Sequence, residues 1–109
     1  MKFKQSGEFT QFLEKLPKKD RQKLIALIKT IEEHGVTIAS QMHWIKKLEK
    51  DLYEIRSIQG SDIQRAIYFQ IKNDYYYITH GFTKKTQKTP KREINKARNI
   101  RASFKNDKK

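Results

Sequence analysis

Leu52-Tyr53-Glu54-Ile55-Arg56-Ser57-Ile58, then Gln59-Gly60-Ser61-Asp62, then Ile63-Gln64-Arg65-Ala66-Ile67-Tyr68-Phe69-Gln70-Ile71 is the stretch on which the fold turns. Its two flanks alternate with period two and are rich in β-branched and aromatic residues, while the four residues between them have turn composition. Together they predict a β-hairpin. A second turn at Lys72-Asn73-Asp74 leads into Tyr75-Tyr76-Tyr77-Ile78-Thr79-His80-Gly81-Phe82, which extends the hairpin to a three-stranded antiparallel meander. The middle strand is the most apolar and is expected at the centre. Met1 to Gln5 can add a short edge strand.

Upstream, the apolar period is helical. Ser6 offers an N-cap, and Phe9, Phe12, Leu13 and Leu16 follow at i, i+3, i+4, i+7. Pro17 interrupts that stripe and can open a second helix, whose Leu24, Ile25, Leu27, Ile28 and Ile31 run to a glycine stop at His34-Gly35. Two such helices form a helical hairpin that needs an apolar surface to cover. Downstream, Thr89-Pro90 reads as an N-cap and first-turn proline, with Ile94, Ala97, Ile100 and Phe104 at helical spacing after it. The expected fold class is α+β: an N-terminal helical hairpin on a three- to four-stranded antiparallel sheet, with a C-terminal helix that frays over 105–109. At 109 residues, with no linker or repeat, 1–109 is expected to be one domain.

The formal net charge is +13, which points to a polyanion or an acidic partner. From Thr83 to Lys109 eleven Lys/Arg stand against Glu93 and Asp107 alone, whereas the first 82 residues carry fourteen against ten acids. A solvated basic tail would show the same run. With no cysteine there is neither a disulfide framework nor thiol chemistry nor a cysteine zinc site. No apolar run approaches a membrane span and no signal-peptide core follows Met1, so a soluble cytoplasmic protein is expected. Gly-rich phosphate loops, G-x-S-x-G and H-E-x-x-H are absent, and the histidines at 34, 43 and 80 are scattered, so no metal or cofactor is expected. His34 falls at a predicted helix end and His43 in a connecting segment beside Trp44. His80, on a strand, has a plainer reading as a sheet histidine with a satisfied hydrogen bond.

Cations on neighbouring strands remain. Alternation puts Glu54 and Arg56 on one face of the first strand, and Arg65 shares a face of the second with Ile67 and Phe69. A short turn brings Arg56 and Arg65 near each other. Two adjacent guanidinium groups repel, and either a carboxylate between them, for which Glu54 is available, or a bound phosphate offsets that repulsion. The third strand then delivers Lys84, Lys85 and Lys88 to the edge of the same sheet. Tyr53, Tyr68 and Tyr75 to Tyr77 add aromatic surface on which bases can stack, although strand aromatics also serve as plain core.

Leu52-Tyr53-Glu54-Ile55-Arg56, Arg65-Ala66-Ile67-Tyr68-Phe69 and His80-Gly81-Phe82-Thr83-Lys84-Lys85-Thr86-Gln87-Lys88-Thr89-Pro90, followed by Glu93-Ile94 and Ala97, resemble the HigB-like, phage-derived Gp49-like branch of the RelE/ParE toxin superfamily. The resemblance runs from the helical hairpin to about Arg101, and its G-F-x-K-K-x-x-K-T-P segment is the most specific part. It implies a RelE-like fold with a twisted sheet. It further implies the toxin of a type II toxin-antitoxin pair, a ribosome-dependent messenger RNA endonuclease acting in the A site and neutralised by a HigA-like helix-turn-helix antitoxin. By position, Arg56, Arg65, Lys84 and Lys85 match the residues that RelE-like toxins use for phosphate contact and catalysis, and Glu54 stands where some relatives carry a lysine. Lys46, Lys47, Tyr68, His80, Gln87, Lys88 and Lys91 are the accompanying candidates for RNA contact.

A consistent mechanism is attack of a ribose 2′-hydroxyl on the adjacent phosphorus, leaving a cyclic phosphate and a 5′-hydroxyl. Arg56 and Arg65 suit the phosphorane oxygens, Glu54 or a lysine the base, and Lys84 or Lys85 the acid. Two other readings stay open: a ParE-like toxin that binds DNA gyrase and cuts nothing, and a nucleic-acid-binding module without catalysis.

Overall fold

A computed structural model describes residues 1–107 of the chain. It begins with strand β1 (Lys2–Gln5), followed by helix α1 (Gly7–Lys15). Ser6 caps α1: its Oγ accepts from the Phe9 amide at 3.0 Å and donates to the Thr79 carbonyl at 2.7 Å, which ties the helix start to a strand far along the chain. Phe9 and Leu13 are the buried residues of the stripe, with Phe12 and Leu16 packed beside them.

Pro17 occupies the N-cap position of α2 (Lys18–Gln41), which continues past the expected stop. Gly35 does break the helix, with φ of 86° in the left-handed region that favours glycine. Helical geometry then resumes and buries Ala39, because an apolar surface is still there to cover. The segment expected to be a plain connection holds strand β2 (Ile45–Glu49). With only Ile45 and Leu48 apolar and a register shift between Lys47 and Glu49, its alternation is too brief to read from sequence.

Strands β3 (Leu52–Gln59), β4 (Asp62–Lys72) and β5 (Tyr75–Lys84) form the expected meander, each a residue or more longer than its pattern. The sheet has five strands in the order β1-β5-β4-β3-β2. It is mixed, not antiparallel as expected, because β1 pairs parallel to β5 with Lys2 opposite Tyr75 and Gln5 opposite Ile78. The chain reaches β5 from β1 only after α1, α2 and three strands, a crossover long enough for parallel pairing.

Central β4 is buried without interruption from Ile63 to Phe69, as a strand covered on both faces should be. Ala66 and Tyr68 face α1 and α2, in a cluster with Phe9, Leu24, Ile31, Ile55 and Ile78. Ile67 and Phe69 face the other way, with Leu52, Phe82 and Ala97, onto helix α3 (Lys91–Asp107). The helix holds its form to Asp107, and Lys105 lies 3.3 Å from Asp51. Of the 105–109 stretch expected to fray, residues 108 and 109 lie outside those described. No helix among the described residues is long and apolar enough to cross a membrane.

Candidate active site

Register decides which cations meet. Arg56 on β3 and Arg65 on β4 are direct cross-strand partners, and Glu54 precedes Arg56 by two residues on the same face. The Glu54 carboxylate stands between the guanidinium groups: Oε1 accepts from Arg56 Nε at 2.6 Å and lies 3.9 Å from Arg65 NH1. Its other oxygen, Oε2, accepts from the Thr89 hydroxyl at 2.7 Å, and Arg65 NH1 donates to that hydroxyl at 3.4 Å. Two strands and the loop before α3 thus share one polar knot.

Glu54 and Arg65 are both 0% exposed, whereas the Arg56 side chain retains 15%. Removing two ions from water is costly, and a close counter-charge with further hydrogen bonds offsets that cost. Glu54 meets this condition; Arg65 meets it in part, since its Nε and NH2 have no hydrogen-bond partner among the described residues, although its guanidinium lies 5.9 Å from the centre of the Phe82 ring. Burial lowers the affinity of Arg65 for its proton, Glu54 pulls it back up and Arg56 pushes it down again. The Glu54 carboxylate is one offset to the repulsion between the two guanidinium groups. Burial corrects the expectation that Arg65 touches phosphate directly: at 0% exposure it is a support beneath Arg56.

The outer edge of Arg56 meets the loop after β5. NH1 donates to Gln87 Oε1 at 3.3 Å and NH2 to the Gln87 carbonyl. On β5, Phe82 is opposite Arg65 and Lys84 is opposite Ile63, so alternation keeps Lys84 on the Arg65 face. Lys85, Lys88 and Lys91 are exposed along the loop and the start of α3. Lys46 is opposite Glu54 and joins the same face from the other side, whereas Lys47 is opposite Tyr53 on the reverse face, away from the cluster. Among the described residues Lys46, Lys84, Lys85, Lys88 and Lys91 have no acidic partner, unlike Lys96 with Glu8 or Arg98 with Glu49. The result is one partly exposed guanidinium edge inside a rim of unneutralised lysines.

Two expected RNA contacts are buried instead. His80 is 1% exposed: its Nε2 lies 3.1 Å from Glu93 Oε1 and its Nδ1 lies 3.0 Å from the Thr79 hydroxyl. Burial favours the neutral ring and lowers its pKa against the pull of Glu93. Tyr68 is 0% exposed on the helical-hairpin face, ringed by Phe3, Tyr53 and Tyr76, and burial pushes its phenol up. Neither side chain reaches a strand of RNA from there.

Thr89 is the site residue that sequence reading missed, because a Thr-Pro pair ahead of a helix reads as a cap. Its hydroxyl is committed to Glu54 and Arg65, and only the folded chain reveals partners 35 and 24 residues away. Among the described residues no group of three or more His, Asp or Glu is placed to hold a metal ion.

A family model described as Phage derived protein Gp49-like (DUF891) matches residues 11–102. No curated protein matches the chain.

Proposed function

The chain belongs to the Gp49-like family, the HigB-like branch of the RelE/ParE toxins associated with toxin-antitoxin systems, and on that premise we propose that it is a ribosome-dependent messenger RNA endonuclease. One observation carries the reading: Arg56, anchored by Glu54 and still 15% exposed, lies beside Lys46, Lys84, Lys85, Lys88 and Lys91, none of which has an acidic partner among the described residues. A gyrase inhibitor has no comparable need for such a surface.

In the proposed reaction the 2′-oxygen bonds to phosphorus while the bond to the 5′-oxygen breaks, giving a cyclic phosphate and a 5′-hydroxyl without consuming water. Arg56 takes the charge that develops on the non-bridging oxygens. Glu54 does not serve as base, since it is fully buried and both its oxygens are engaged; it orients Arg56. Lys84 or Lys85 returns a proton to the leaving oxygen, and the 2′ proton passes to the ribosome–messenger complex. A site with so few acids and bases relies on the ribosome to align the messenger in the A site, and alignment alone supplies large rate factors. The partner in the cell is a HigA-like antitoxin that silences the protein.

Mapping RNA ends after cell-free translation, with and without ribosomes, tests the proposal. Cuts within codons that require ribosomes, and that vanish in Arg56→Ala while its circular dichroism stays native, are expected. Intact messenger with inhibited gyrase would select the ParE-like reading, and RNA retarded but uncut would select a binding module.

A further inference from the structure

The fork of Arg56 is already occupied. A guanidinium offers paired donors whose spacing suits two oxygens of a phosphate. Here two oxygens of a single residue sit in that place, the side-chain and backbone carbonyls of Gln87. Beneath them the charge balance is incomplete: two guanidinium groups share one carboxylate, and Arg65 Nε and NH2, at 0% exposure, have no acceptor. Buried donors left without acceptors are costly, and a neutral amide oxygen satisfies a cation less well than an anion does.

Resting on the reading that Arg56 binds phosphate, we propose that the segment Thr86–Lys88 is an internal cap whose Gln87 imitates a phosphate in the Arg56 fork and is displaced by a phosphodiester. Local structure suits such a role. Lys85 to Lys88 adopt bends outside any helix or strand, and within the cap Thr86 Oγ1 donates to the Lys88 carbonyl at 3.5 Å. Lys85 and Lys88 flank it with like charges that draw an incoming polyanion toward the loop while repelling each other. Thr89, held by Glu54, stays in place and sets the downstream limit of the movement. The cap keeps the fork oriented when empty of substrate and makes any incoming anion compete with an intramolecular ligand, so free phosphate opens it weakly and RNA, with its extended rim contacts, opens it more readily.

Titration of the purified full chain with inorganic phosphate, and separately with a uridine hexanucleotide, tests this by following the Arg56 Nε–H and the backbone amides of residues 86–88 by NMR. Loop amides and Arg56 should shift together, with Gln87→Ala binding phosphate roughly fivefold tighter, the factor one lost net hydrogen bond corresponds to. Gln87→Glu, which puts a true anion in the fork, should bind at least tenfold more weakly. Thr86→Glu, which adds the same charge one residue away, should change binding much less. Equal phosphate affinity in wild type, Gln87→Ala and Gln87→Glu, with Arg56 shifting but the loop amides still, overturns the cap and leaves the nuclease reading standing. Neither phosphate nor hexanucleotide perturbing Arg56 in any variant overturns both.

Discussion

Replacing Glu54 by glutamine removes one charge and almost no volume. The carboxylate is the only acidic group paired with Arg65 among the described residues, and it also holds Arg56 at 2.6 Å. Glutamine keeps an oxygen for Thr89 but leaves two facing guanidinium groups, one of them wholly buried, with no counter-ion. Breaking a buried pair from one side costs about 3–5 kcal/mol. Against the roughly 5–15 kcal/mol that holds a domain of this size together, that is a large share, and it lowers the melting temperature by about 12 °C or more. Urea denaturation followed by far-ultraviolet circular dichroism measures the loss. The double variant Glu54→Gln/Arg65→Met is the decisive companion: removing both charges and filling the space with an apolar chain should recover most of the stability. The reasoning fails if Glu54→Gln costs less than about 1 kcal/mol, or if the double variant is no more stable than the single one.

Gly81→Ala should destabilise by about 1–3 kcal/mol, the usual cost of forcing a methyl into a packed core. Its Cβ would lie 2.5 Å from a Phe12 ring carbon and 3.0 Å from Phe9, and thermal melting reads the loss. His80 is held neutral by burial, so the unfolded chain takes up its proton at a higher pH than the folded one does. Its contribution to stability is therefore full above the ordinary imidazole range and is lost as pH falls below about 6.5. Comparing urea midpoints at pH 7.5 and 5.5 in wild type and His80→Gln checks this: the variant should lose less on acidification, and an equal loss would assign the acid sensitivity to carboxylates. Replacing Lys84, Lys85 and Lys88 by alanine should weaken single-stranded RNA binding irrespective of sequence and flatten the logarithmic salt dependence by roughly 0.7 per lysine that neutralises a phosphate. Fluorescence anisotropy at several salt concentrations gives the slope, and an unchanged slope would remove those lysines from the RNA path.

The parts of the fold written in local pattern were legible in the chain. Alternation from Leu52 to Ile71 specified β3 and β4, and the stripes ending at Leu16 and Ile31 specified the hairpin helices. Two features were not. Ile45–Glu49 is too short and too polar to announce a strand, and parallel pairing of β1 with β5 depends on contacts between distant segments. At the site, alternation was enough to put Glu54, Arg56 and Arg65 on one face. It could not reveal depth: Arg65 lies under a layer that only packing supplies, and the same packing decides for His80 and Tyr68 between the buried and the RNA-facing readings that the sequence left open. Thr89 escaped for the opposite reason, since its partners Glu54 and Arg65 lie across a loop whose path no periodicity encodes, and for Gln87, named as an RNA contact, the bond to Arg56 was hidden in the same way.

The parallel seam between β1 and β5 sets a timetable for synthesis. Translation delivers β1 first, but the strand beside it starts only at Tyr75, and Gln87 and Thr89 emerge later still. A nascent chain released before β5 has an N-terminal strand with no neighbour and a β4 with an open flank, an edge prone to aggregate. It also has a Glu54 without its threonine. Maturation of the cationic knot is thus postponed to the last quarter of the polypeptide, so interrupted synthesis yields fragments in which Arg56 is never properly mounted.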